Sequence, residues 1–243
     1  MLMSSSSLGD DGRSKDLKTF YSLLEDLAGG IGGERLLAKC HGRIGWPQRG
    51  IYFFFEPGEF RSQSGTGPRV VRVGTHALTA GASSKLWGRL SQHRGQSKNG
   101  GGNHRGSIFR LIVGTSLMAR HGYQYPTWGK GSNAPADIRQ GEVALEVEVS
   151  EVIGRMPFLW LAVNDEPGPE SARGFIERNA IALLSNFGKD HLDPPSASWL
   201  GQVCDRERVR RSGLWNSNHV DETYDPRFLD VIAKLVADMG RRE

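Results

Sequence analysis

Cysteine is almost missing from this chain. Cys40 and Cys204 are the two present among 243 residues, far apart and in no CxxC arrangement. That argues against a disulfide framework and against a cysteine-rich zinc site. Long apolar runs are missing as well, and none approaches the roughly 20 residues of a membrane span. The start, MLMSSSSLGDDGRSKD, holds Ser, Gly and Asp where a secretory signal needs an apolar stretch. A reducing, cytoplasmic setting without membrane contact is therefore expected. The seven histidines are dispersed and do not make a zinc pattern. The Gly-rich NGGGNHRG lacks the GK[ST] of a P-loop. No internal repeat is visible.

What is present is a chain able to bury a core, with a hydrophobic fraction of 37%. A net charge of +4, from 31 Lys and Arg against 27 Asp and Glu, mildly favours an anionic partner without naming nucleic acid. Basic residues concentrate between Lys85 and Arg110 and again in RERVRR, Arg206 to Arg211. The second run reads equally well as a solvated helix face.

Hydrophobic periodicity places the elements. Residues 1–14 are polar and Ser-rich and are expected to be a disordered tail. Leu17, Phe20, Tyr21, Leu24 and Leu27 predict a helix over Lys15–Ala28, N-capped by Ser14 and ended by GGIGG. A short helix is expected at ERLLAKC. IYFFFE is a strand whose unbroken apolarity implies cover on both faces. The loop PGEFRSQSGTGP joins it to a second strand, RVVRVG. SSKLWGRLSQHRG is helical, closed by Gly95. Ser107–Ala119 is helical on the spacing of Phe109, Ile112, Val113, Ser116 and Leu117. Residues 120–140 read as loop. EVALEVEVSEVIG is ambiguous, its valines favouring a strand and its glutamates a helix. FLWLAVND is a buried strand. SARGFIERNAIALLSNF is the clearest helix, and an amphipathic helix over Pro226–Met239 closes the chain.

This order of hairpin, basic helix, helices, strand and helix resembles the GIY-YIG nuclease superfamily. The resemblance runs through GIY at Gly50–Tyr52, RVGT at Arg72–Thr75, Arg89 and His93 in LWGRLSQH, and Glu177 and Asn186 in FIERNAIALLSN. It implies a mixed α+β fold, with a small central antiparallel or mixed sheet flanked by helices and helical extensions at both ends. The divisions expected are a tail 1–14, an N-terminal helical extension 15–45, a nuclease domain 46–190 and a C-terminal extension 191–243 packed on it. The implied activity is metal-dependent endonucleolytic hydrolysis of DNA by a monomer or homodimer. The catalytic set would be Tyr52, Arg72, Arg89, His93 and Glu177.

The residue types suit that chemistry. Glu177 is a hard anionic ligand, and one carboxylate with waters and substrate phosphate suits Mg²⁺ or Mn²⁺. Its bland alternative is a surface carboxylate paired with Arg173 or Arg178 on the same helix. Arg89 and His93, at i and i+4, share one helical face and could clamp a phosphate. By the resemblance, Tyr52 helps to activate the attacking water, although a free tyrosine has a pKa of about 10. Arg72 stands where the family has its second tyrosine; it cannot readily act as a base but could bind phosphate. Lys98, His104, Arg105 and Asn186 are further nucleic-acid-binding candidates, and RRSGLWNSNHV could contact bases or simply pack a C-terminal lobe. Arg72 is also the best support for a competing reading, a catalytically altered or inactive nucleic-acid-binding module on the same scaffold.

Overall fold

The structure is a computed structural model that describes residues 7–96 and 100–239. Its elements in chain order are α1 (Ser7–Gly30), β1 (Arg35–Leu36), β2 (Gly50–Phe60), β3 (Pro68–Gly74), α2 (Leu86–Arg94), α3 (Ile108–His121), α4 (Ala136–Gly141), α5 (Val143–Gly154), β4 (Pro157–Ala162), α6 (Ala172–Leu184), α7 (Glu207–Ser212) and α8 (Arg227–Met239). The four strands form one antiparallel sheet in the order β1-β4-β2-β3. The fold is thus mixed α and β, as expected.

β2 pairs on both sides, and its side chains divide by pleat. Ile51, Phe53 and Phe55 enter a core with α1, α6 and α8. Tyr52 and Phe54 enter a second core with α2, α3 and α5. Cover on both faces explains the unbroken apolar run. Gly95 closes α2 at φ +83, a conformation that favours glycine. Both cysteines are buried free thiols.

Several sequence expectations are corrected. α1 starts at Ser7, so residues 7–14 are helical and Ser14 lies inside the helix. The extra length has a physical anchor: Arg13 donates to the carbonyl oxygens of Leu183 and Ser185 at the C-terminal end of α6, where a cation is favoured. ERLLAKC is a two-residue strand, β1, followed by one 3-10 turn at Leu37–Lys39. β2 continues to Phe60, with register shifts, and takes in residues expected to be loop. α4 interrupts the 120–140 loop. The ambiguous EVALEVEVSEVIG is helical, α5, because Leu145, Val149 and Ile153 bury one stripe.

The residues after Asp190 pack on the sheet. The Trp215 N–H donates to the Val71 carbonyl at 2.7 Å. The Asn216 amide both accepts from and donates to the Val73 backbone, at 3.1 and 2.9 Å. Trp215 is completely buried. This segment lies along β3, the edge strand, and brings the following residues to the end of the sheet.

Candidate active site

Gly74 ends β3 opposite Tyr52. A Cβ on Gly74 would overlap the Tyr52 ring and hydroxyl, so the small residue lets the tyrosine lie across the end of its neighbour strand. The Tyr52 hydroxyl is 2.7 Å from His93 Nε2, and His93 Nδ1 is 2.7 Å from the Ser107 hydroxyl. Both Tyr52 and His93 have no exposed surface. Burial and the nearby Arg89, Arg72 and Arg110 hold His93 well below the usual histidine range, so it is neutral imidazole at neutral pH. The phosphate-facing place expected for His93 is not where the structure puts it. With its surface lost to the α2–α3 packing and both nitrogens engaged, it holds Tyr52.

Arg72 is opposite Phe54 in the register, on the Tyr52 face of the sheet. Its guanidinium donates to the Trp215 carbonyl, lies 4.7 Å from the Phe109 ring centre and interacts electrostatically with Tyr52. Burial lowers its pKa, against the opposing pull of Tyr52 and Glu177. Its Nε is buried without a hydrogen-bond partner among the described residues.

Glu177 comes from α6, on the other face. Its Oε1 accepts from the Thr75 backbone N–H at 3.1 Å, while the Thr75 hydroxyl donates to the Gly50 carbonyl at 2.8 Å. The turn after β3 therefore locks the start of β2 to α6. The intrahelical partners that would make Glu177 an ordinary surface carboxylate are committed elsewhere: Arg173 pairs with Asp165 and Arg178 with Glu222. Burial raises the Glu177 pKa, opposed first by Arg72 and then by the Thr75 N–H.

Arg72, Arg89 and Glu177 line one hollow of about 180 Å³, together with Asn216, Ser217, Asn218 and His219. Glu177 also lines two larger neighbouring hollows, of about 670 and 580 Å³. Arg89 is half-buried and donates to Gln92 and to the Gly106 carbonyl. The structure thus brings Tyr52, Arg72, His93 and Glu177 to one end of the sheet with Arg89 beside them, the tyrosine–histidine pair behind Arg72.

The further nucleic-acid-binding candidates lie elsewhere. His104 is buried, with Nδ1 2.9 Å from Glu146, Nε2 accepting from Gly129 N–H and its ring stacked on Trp128. Arg105 makes two bonds to Glu142, at 2.6 and 2.9 Å, with its side chain almost wholly buried. Asn186 is buried at the end of α6, where its Oδ1 accepts from Arg13. These three are fastened to partners within the protein. Lys98 lies outside the described residues. Ser107 has no role legible in the sequence; Thr75 stands there only within RVGT, and Ser217–His219 only within RRSGLWNSNHV, with nothing local to tie them to Glu177.

A family model described as GIY-YIG domain matches residues 11–242. No curated protein and no solved structure matches the chain. The chain belongs to the GIY-YIG family, whose scaffold is that of nucleases. The match takes in residues 216–219, which complete the hollow. No helix among the described residues is long and apolar enough to cross a membrane.

Proposed function

We propose that this protein is a metal-dependent endonuclease that hydrolyses phosphodiester bonds in DNA. The observation that carries the reading is the 180 Å³ hollow, where two arginines converge with a carboxylate free of its intrahelical ion pairs. Arg72 and Arg89 would bind the non-bridging oxygens of the scissile phosphate and stabilise the charge that grows there. Glu177 would hold the cation. The donor set fits: a single carboxylate, with one oxygen fixed by Thr75 and a pKa raised by burial, gains from a hard positive ion and leaves room for waters and phosphate. Bound there, Mg²⁺ or Mn²⁺ supplies Lewis acidity to the phosphoryl and leaving oxygens.

Tyr52 would assist water activation. Its hydroxyl stands behind Arg72, so Arg72 must turn toward the phosphate for the two to meet. Neutral His93, itself held by Ser107, fixes the hydroxyl from the buried side. Tyr52→Phe should then lose at least about a hundredfold in turnover, on the scale of general acid–base catalysis, with little change in substrate affinity.

The competing reading is a nucleic-acid-binding module that no longer cuts. Arg72 at the second tyrosine position and the buried Tyr52 hydroxyl favour it. One assay separates the two. Nicking of plasmid that requires Mg²⁺ or Mn²⁺ and disappears in Glu177→Ala supports the enzyme. Salt-sensitive retention of DNA with no cutting in either metal supports the module.

A further inference from the structure

We infer that His219 is a second protein ligand for the cation that Glu177 would hold, so that the centre is a carboxylate–imidazole pair. The inference rests on the metal-dependent reading above and specifies its ligand set.

His219 reaches the site from the C-terminal segment fastened to β3 through Trp215 and Asn216. Its backbone sits at φ +63, a left-handed conformation that a non-glycine residue keeps only where its surroundings impose it. Nδ1 is 2.8 Å from Glu222 Oε1, and Arg178 donates to the other oxygen of the same carboxylate. A carboxylate on Nδ1 selects the Nδ1–H tautomer and leaves Nε2 with its lone pair. Metal-binding histidines are oriented in this way, with the remote nitrogen donating to an anchored acceptor. The ring lines two of the three hollows that Glu177 lines, and His219 is among the groups that act electrostatically on Glu177. Arg178, expected from sequence as a partner for Glu177, instead anchors Glu222. The helix that carries the carboxylate thus also supports the imidazole.

One oxygen and one nitrogen donor change the choice of metal. Imidazole adds little for Mg²⁺ and more for Mn²⁺ or later transition metals. Mn²⁺ and Mg²⁺ binding to the full chain by calorimetry, with pulsed EPR of the Mn²⁺-loaded protein, provides the test. The expected results are ¹⁴N modulation from a directly bound imidazole, lost in His219→Ala, and a fall of at least tenfold in Mn²⁺ affinity against less than threefold for Mg²⁺. Glu222→Gln, which keeps the ring but weakens its anchor, should retain the modulation at reduced Mn²⁺ affinity. Mn²⁺ binding that Glu177→Ala abolishes, without ¹⁴N modulation and with unchanged affinity in a folded His219→Ala protein, overturns the His219 assignment and leaves the nuclease reading standing. Failure of the parent protein to bind either metal overturns both.

Discussion

Two clusters of charge in this protein look alike in sequence and differ in structure. One joins His104, Arg105 and Arg110 to Glu142 and Glu146. The other gathers Arg72, Arg89, Glu177 and His219 at the end of the sheet. In the first, His104, Arg105 and Arg110 each have a carboxylate at 2.9 Å or less, and Glu146 is held below the usual carboxylate range despite burial. In the second, Glu177 is raised, Arg72 is lowered and keeps an orphaned Nε, and both face a hollow. Completed pairing marks charge used to hold a fold. Charge concentrated without completed pairing marks a place where a ligand supplies the missing partners.

Glu146→Ala and Glu177→Ala should pull this comparison furthest apart. Removing Glu146 leaves Arg110 buried without its anion and His104 Nδ1 without its acceptor, and should cost about 3–5 kcal/mol in urea unfolding. Removing Glu177 should cost no more than about 1 kcal/mol, the scale of its Thr75 hydrogen bond, and lower metal-dependent nicking by about a thousandfold, the scale of several kcal/mol of lost charge stabilisation. A Glu177→Ala protein that is folded and cuts at the parental rate would end the functional reading of the second cluster.

A smaller contrast comes from the arginines. Arg89→Ala should lower turnover by about a hundredfold, as loss of one transition-state donor does elsewhere. Arg105→Ala should leave turnover within a few-fold and lower the melting temperature, because it strips Glu142 of two of its bonds and leaves the one from Thr127. Equal effects of both variants on nicking would erase the distinction.

The smallest effect is in the pH dependence of stability, where the two glutamates have opposite signs. Glu146 has a lowered pKa in the folded chain, so its contribution is present above the unfolded carboxylate value and is lost as pH falls through the folded one. Glu177 has a raised pKa, so its contribution is fully present below the unfolded value and is lost as pH rises through the folded one. Glu177→Gln, measured without metal, should therefore be more stable than the parent at neutral pH, and the gap should close as pH falls toward about 4, the ordinary carboxylate value. A gap that widens on acidification would reverse the assignment for Glu177.

Much of the scaffold was legible in the sequence because its cues are local. The β2 run, the stripe Leu17 to Leu27 and the stripe of α6 each report burial through their own spacing. Arg72, Arg89, His93 and Glu177 could be picked out by order along the chain. Their partners could not. That His93 faces Tyr52 and Ser107 depends on the packing of α2 and α3 against the sheet. That His104 and Arg105 serve α5 depends on Glu142 and Glu146, carboxylates far along the chain that no spacing rule connects to them. Residues 7–14 were misjudged on composition, since the feature that fixes them is one arginine reaching the end of α6. His219 was hidden for the same reason: its segment is fastened to β3 across more than half the chain.

That fastening bears on how the protein can be handled and how it associates. β3 is an edge strand rich in valine, and the backbone groups of Val71 and Val73 that would otherwise be offered outward are met by Trp215 and Asn216. An uncovered apolar edge is a template for pairing with another chain. A chain cut back to residues 46–190 would therefore lose more than a surface decoration. It would expose a sticky border, so minimal versions trimmed by motif boundaries should aggregate more readily than the full chain.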